Sequence, residues 1–118
     1  MFSIYYYADD KGDRPVWDYM QSLAKKHDKG SRIKYNKIVD YIRVLSDRGK
    51  GAGQPYIKHL GGDIWELRPI RDRILFAAWD DEVQGFILLH QFMKQTQKTP
   101  QKEIDTATRR LKALKRGK

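Results

Sequence analysis

Five side chains in the second half of the sequence carry chemistry at usable spacing. They are Glu66 and Arg68 in "IWELRP", Arg73 in "RILFAAW", His90 closing "FILLH", and Lys94 four residues further on. Two arginines offer planar forks for phosphate oxygens, a histidine exchanges protons near neutrality, and a carboxylate and an amine complete the set. Such groups are sufficient to cleave RNA without a metal. A base takes the 2′-hydroxyl proton, cations hold the charge on the phosphorus oxygens, and an acid protonates the departing 5′ oxygen. Each residue also has a plainer reading: Glu66 and Arg68 as a polar pair on a solvated sheet face, His90 as a hydrogen-bonded core histidine.

Whether the five meet depends on the elements that carry them. "FSIYYYA", residues 2–8, reads as a strand, and "DDKGD" ends it. A helix follows, with Asp13 as a cap, Pro15 in the first turn, and Val16, Trp17, Met20, Leu23 and Ala24 on one face. Gly30 is the expected stop, and Ser31 the cap of a second helix whose stripe is Tyr35, Ile38, Ile42 and Leu45. The Gly-rich stretch 47–55 reads as a connector, because it lacks the spacing of a phosphate-cradling loop. From Tyr56 the period becomes two, and "YIKHL", "DIWELRPI", "RILFAAW" and "VQGFILLHQFM" read as four consecutive antiparallel strands. After Pro100 a helix returns, with Ile104, Ala107, Leu111 and Leu114 on one side. The expected fold is α+β, one domain over residues 1–118, with an antiparallel meander, two N-terminal helices on one sheet face and a C-terminal helix.

Register then places the charges. If the chain reverses through Arg71 and Asp72, Arg68 faces Leu75 and Ile70 faces Arg73. If the next reversal uses Asp81 and Glu82, Trp79 faces Gln84, Leu75 faces Leu88 and Arg73 faces His90. One face then carries Glu66, Arg68, Arg73, His90 and Lys94, and a one-residue slip in either turn scatters them. His27 and His59 fall outside this group. Asp80, Asp81 and Glu82 read as a hairpin tip rather than a metal site, and Trp65 and Trp79 as packing residues.

The totals agree with a polyanion as partner. The 118 residues carry a formal charge of +9 and still contain 12% aromatics, which suits a folded domain that exchanges counterions for phosphates. Lys58, Arg71, Lys98 and Lys102 are the candidates for further RNA contacts. No cysteine is present, so a disulfide framework, a zinc–thiolate site and a cysteine nucleophile are excluded. No cofactor and no metal are expected. The opening lacks a basic and then apolar leader, and no run nears the ~18 apolar residues of a membrane span. The expectation is a cytoplasmic protein that does not engage a membrane.

The combination "IWELRP", "RILFAAW" and "HQFMKQTQKTPQKEI" resembles the phage-derived HigB-like toxins of the RelE/ParE superfamily, which belong to type II toxin–antitoxin systems. The resemblance extends over nearly the whole chain and is most specific from Phe86 to Ile104. It implies a ribosome-dependent mRNA endonuclease that inhibits translation, neutralised by a helix-turn-helix antitoxin, with a higher-order complex between the two possible. The family's basic strand residue matches Arg68, and its lysine-rich segment matches Lys94 and Lys98, with His90 just upstream. The choice of base among His90, Glu66 and a lysine stays open. The same superfamily contains ParE-like inhibitors of DNA gyrase that cut no RNA, and a plain basic nucleic-acid-binding module is the third reading.

Overall fold

The computed structural model describes residues 1–79 and 84–117. Its elements are β1 (Ser3–Tyr6), α1 (Pro15–Lys25), α2 (Lys29–Arg48), a 3₁₀ turn over Gly49–Ala52, β2 (Ile57–Gly61), β3 (Ile64–Leu67), β4 (Asp72–Trp79), β5 (Gly85–Met93) and α3 (Gln101–Arg116). They form an α+β fold on one five-stranded sheet, ordered β1-β5-β4-β3-β2. The last four strands pair antiparallel in sequence order, whereas β1 joins the edge parallel to β5. Among the described residues no helix is long and apolar enough to cross a membrane.

Of the three helices only α2 has a side-chain N-cap; α1 begins at a proline and α3 directly after one. Pro15 opens α1, and Asp18 accepts a bond from Arg14 N–H at 3.0 Å; the expected cap, Asp13, plays no such part. The second helix begins earlier than its glycine suggested. Asp28 takes the capping position and accepts Ser31 N–H at 2.9 Å, so Gly30 lies within the first turn and Ser31 is not the cap. A carboxylate on an otherwise unpaired amide outweighs the entropic cost of one glycine.

Two apolar layers cover the sheet. On one face Val16, Met20 and Leu23 of α1 and Ile38 and Leu45 of α2 pack against Leu67, Ile74, Phe76, Phe86 and Leu88. On the other, Ala107 and Leu111 of α3, flanked by Ile104 and Leu114, cover Ile64, Leu75, Ala77, Ile87 and Leu89. The face opposite the two N-terminal helices is therefore partly roofed by the C-terminal helix. The parallel pairing of β1 needs a glycine at Gly85, where a Cβ would stand 2.6 Å from the Tyr5 ring and 3.0 Å from Ser3 O.

Both expected registers are displaced. Between β3 and β4, Glu66 rather than Arg68 faces Leu75, a shift of two that leaves every side chain on its expected face. Ile70 does not pair with Arg73, because the chain turns through Pro69–Asp72, closed by Asp72 N–H on Pro69 O at 3.0 Å. Between β4 and β5, Trp79 faces Gly85 rather than Gln84. The acidic residues Asp80, Asp81 and Glu82 of the presumed hairpin tip lie outside the described residues. This second shift is odd and on its own would have scattered the charged group, but a bulge reverses it. Phe76 pairs with Leu88 and Leu75 with His90, leaving Leu89 as the extra residue. Leu75 thus faces His90 rather than Leu88, and Arg73 faces Phe92 rather than His90.

A polar cluster ties the helices to the start of β4. The buried Asp72 accepts the Tyr19 hydroxyl at 2.7 Å and Gln91 Nε2 at 3.0 Å on the same oxygen, with Lys34 Nζ 3.9 Å from the other. Burial first, then the hydrogen bond to Asp72 and its charge, push the Tyr19 phenol above its ordinary value of 10.0. The raised value makes its contribution to stability complete below pH 10 and lost as pH rises toward the folded-state value. Tyr19→Phe is expected to cost about 1 kcal/mol at neutral pH, and denaturant titrations should show the wild-type advantage shrinking above pH 10.

Candidate nucleic-acid interface

Four of the five expected residues gather at one end of the sheet, on the α3 side. Glu66 is their centre. It is 2% exposed, and a carboxylate so far from water must find partners. Thr99 Oγ1 donates to Glu66 Oε2 at 2.6 Å, while Arg68 Nε and Arg73 Nε lie 3.4 and 3.9 Å from Oε1. Lys58 stands directly across from Glu66 on β2 and is solvent-exposed. Lys94 lies beyond, on the segment 94–100 that folds over Glu66 and Arg73. The hollow left beneath that segment measures ≈ 10 Å³, about enough for a single water.

The two arginines differ in what they are free to do. Arg73 is 6% exposed and spends its guanidinium on the protein, with Nη1 donating to Ile70 O and Asp72 O, both at 2.9 Å. Burial lowers its pKa, opposed first by the charge of Glu66. Arg68 keeps 25% of its side chain exposed. Its backbone is fixed by Arg68 N–H on Tyr56 O at 2.9 Å, and its Nε is buried with no hydrogen-bond partner, although the charge of Glu66 is adjacent. A donor so placed is oriented by electrostatics rather than consumed by a bond.

His90 belongs to a second cluster on the same face. The bulge at Leu89 turns both Leu89 and His90 toward α3. There Arg110 Nη1 donates to Leu89 O at 2.8 Å and lies 3.2 Å from His90 Nδ1, while His90 Nε2 is 2.9 Å from Glu103 Oε1. Since a guanidinium can only donate, Nδ1 is the acceptor, and the ring hydrogen sits on Nε2 and is given to Glu103. His90 also stacks on Phe92, with ring centroids 5.8 Å apart. Glu103 lines a hollow of ≈ 200 Å³ together with Thr96, Pro100 and Lys102, so the expected RNA contact Lys102 lies beside this pair.

The remaining candidates rim both clusters. Arg71 is exposed, and its Nη2 donates to Lys94 O at 3.2 Å, while Lys94 N–H donates to Arg71 O at 2.7 Å. Lys98 is exposed on the covering segment, and its carbonyl accepts the Thr96 hydroxyl at 2.7 Å. His59 stacks on Trp65, with centroids 4.5 Å apart, and bonds Gly62 O at 2.8 Å. Trp65 packs against the α1–α2 core. Among the described residues no three His, Asp or Glu side chains stand close enough to hold a metal.

Three partners were not anticipated: Thr99, Glu103 and Arg110. Glu103, Ala107 and Arg110 recur at i, i+4 and i+7, so a shared helix face was legible. That this face meets His90 required the bulge.

One residue in the turn is strained. Ile70 has φ of 54°, a left-handed conformation that costs a β-branched residue on the order of 1–3 kcal/mol. The Arg73 bond to its carbonyl and the cross-strand bond between Arg71 and Lys94 hold the turn in place.

No curated protein matches the chain. A family model, phage-derived protein Gp49-like (DUF891), matches residues 19–112. Spanning α1 into α3, and so every residue of both clusters, the match shows that the chain belongs to this family of phage-derived Gp49-like proteins.

Proposed function

We propose that the protein is a HigB-like toxin that cuts mRNA on the ribosome, with an antitoxin as its natural inhibitor and the cytoplasm as its place of action. The observation that carries the reading is Arg68, a partly exposed guanidinium backed by the buried carboxylate of Glu66. It stands at the end of the sheet where Lys58 pairs with Glu66, Arg71 bonds Lys94, and Lys94 and Lys98 lie on the covering segment. Membership in the Gp49-like family, a RelE/HigB-like toxin family, supports it.

In this reading the 2′-oxygen attacks the adjacent phosphorus, the bond to the 5′ oxygen breaks, and a 2′,3′-cyclic phosphate and a 5′-hydroxyl remain. Arg68 takes the non-bridging oxygens as negative charge builds on them, with no reorganisation needed because Glu66 already holds it. Glu66 itself is sealed by Thr99 and acts by holding the arginines. Glu103, held on one carboxylate oxygen by His90 Nε2–H, takes the 2′-hydroxyl proton on the other, and the Lys94 ammonium gives a proton to the departing 5′ oxygen. The lysines on the rim and Arg71 hold neighbouring phosphates of messenger and ribosomal RNA, so binding weakens with added salt. Arg73 serves the turn rather than the substrate.

The test is induction in growing bacteria followed by primer extension across an abundant translated message, with and without a drug that blocks initiation. Cuts that appear only on translated message support the reading; growth arrest with intact message overturns it in favour of a gyrase-type inhibitor. Lys94→Ala should lower single-turnover cleavage at least ~10-fold, the loss of one charge-stabilising contact; an unchanged rate removes Lys94 from the mechanism.

A further inference from the structure

The turn between β3 and β4 holds an isoleucine where the backbone asks for glycine. Ile70 is the first central residue of the Pro69–Asp72 turn, and its φ of 54° is one that glycine, asparagine and aspartate adopt far more readily. Its side chain gains little from the fold in return, since the residue is 52% exposed. Strain of this kind persists only where neighbours impose it. The neighbours here are Arg73, which grips the Ile70 carbonyl at 2.9 Å, and the Lys94 amide, which grips Arg71 O at 2.7 Å. A buried arginine thus holds an exposed, strained apolar residue in one place.

What surrounds Ile70 indicates its occupant. Arg68 precedes it by two residues, and Arg71, itself exposed, follows it directly. Along an RNA strand every base is flanked by phosphates, so a strand whose phosphates lie on these arginines brings a base over the apolar side chain between them. Apolar side chains that meet a base in this way part it from its neighbour.

We propose that Ile70 is an apolar wedge for a nucleobase beside the scissile phosphate, presented by a strained turn while Arg68 and Arg71 hold the flanking phosphates. The inference rests on the nuclease reading above and adds a residue that orients the message for in-line attack.

Ile70→Gly and Ile70→Asn remove the apolar surface and accept the left-handed backbone, whereas Ile70→Leu keeps an apolar side chain. The three variants and wild type are compared for thermal melting and for cleavage of programmed ribosomes. The expected result is that the glycine and asparagine variants melt at or above the wild-type temperature yet cleave roughly tenfold more slowly, the loss of a partly buried apolar contact, while the leucine variant retains most of the rate. Cleavage within twofold of wild type by the glycine and asparagine variants overturns the proposal and leaves Ile70 to a protein partner. A lower melting point for both variants overturns it as well, because it assigns the side chain to the fold. If wild type itself leaves the message intact, the nuclease reading and this inference fall together.

Discussion

Arg68→Ala is expected to abolish growth arrest and to lower ribosome-dependent cleavage by about 100-fold or more, the usual loss when one preorganised donor to a developing oxyanion is removed. Its effect on the fold should be small. Glu66 keeps Thr99 and Arg73 as partners, and the deleted Nε made no hydrogen bond, so what is lost there is its 3.4 Å charge contact with Glu66. The melting temperature should therefore fall by no more than about 4 °C. Arg68→Lys preserves the charge and loses the planar fork, and should fall between alanine and wild type. Arrest by the alanine variant equal to that of wild type would remove Arg68 from the mechanism.

Glu66→Ala should act in the opposite way, on the fold first. It takes from the Arg73 guanidinium, 6% exposed, the counter-charge that acts on it most, leaving only that of Asp72, and it takes from Thr99 the acceptor that fastens the covering segment. Breaking a buried pair from one side costs about 3 kcal/mol or more, partly offset here because Arg73 keeps its bonds to Ile70 O and Asp72 O. A drop of roughly 10 °C in melting temperature corresponds to a cost of that size in a domain of this length. Glu66→Gln keeps an acceptor for Thr99 and removes the charge, so its loss should be smaller. Equilibrium denaturation decides the matter: a Glu66→Ala variant within about 1 kcal/mol of wild type would show that this carboxylate does not hold the site together.

The pair of variants separates two kinds of residue that look alike in the sequence. Arg68 and Arg73 both punctuate apolar strands, and both lie within ion-pair distance of Glu66. They diverge in exposure and in what their guanidinium groups bond. No property of either residue's immediate sequence neighbours reports that difference.

What the sequence determined by itself is the part governed by local periodicity. The period-two runs after Tyr56 and the helical stripes of Val16, Met20 and Leu23 and of Ile104, Ala107 and Leu111 became the observed elements. The face shared by Glu66 and Arg68 was legible too, because alternation along one strand needs no partner. The tertiary structure decided how the strands meet. The parallel seat of β1 beside β5, the extra residue at Leu89 and the seal of Thr99 over Glu66 all join groups far apart in the chain. His90 reached the expected face because an odd displacement after β4 was reversed by the bulge. Both events arise from long-range pairing, in which the α3 layer accepts Leu89 and His90 together and Arg110 and Glu103 occupy the two nitrogens of the ring. Periodicity sets which way a side chain points along its own strand; the bulge that corrects it between strands is set by packing on both faces of the sheet.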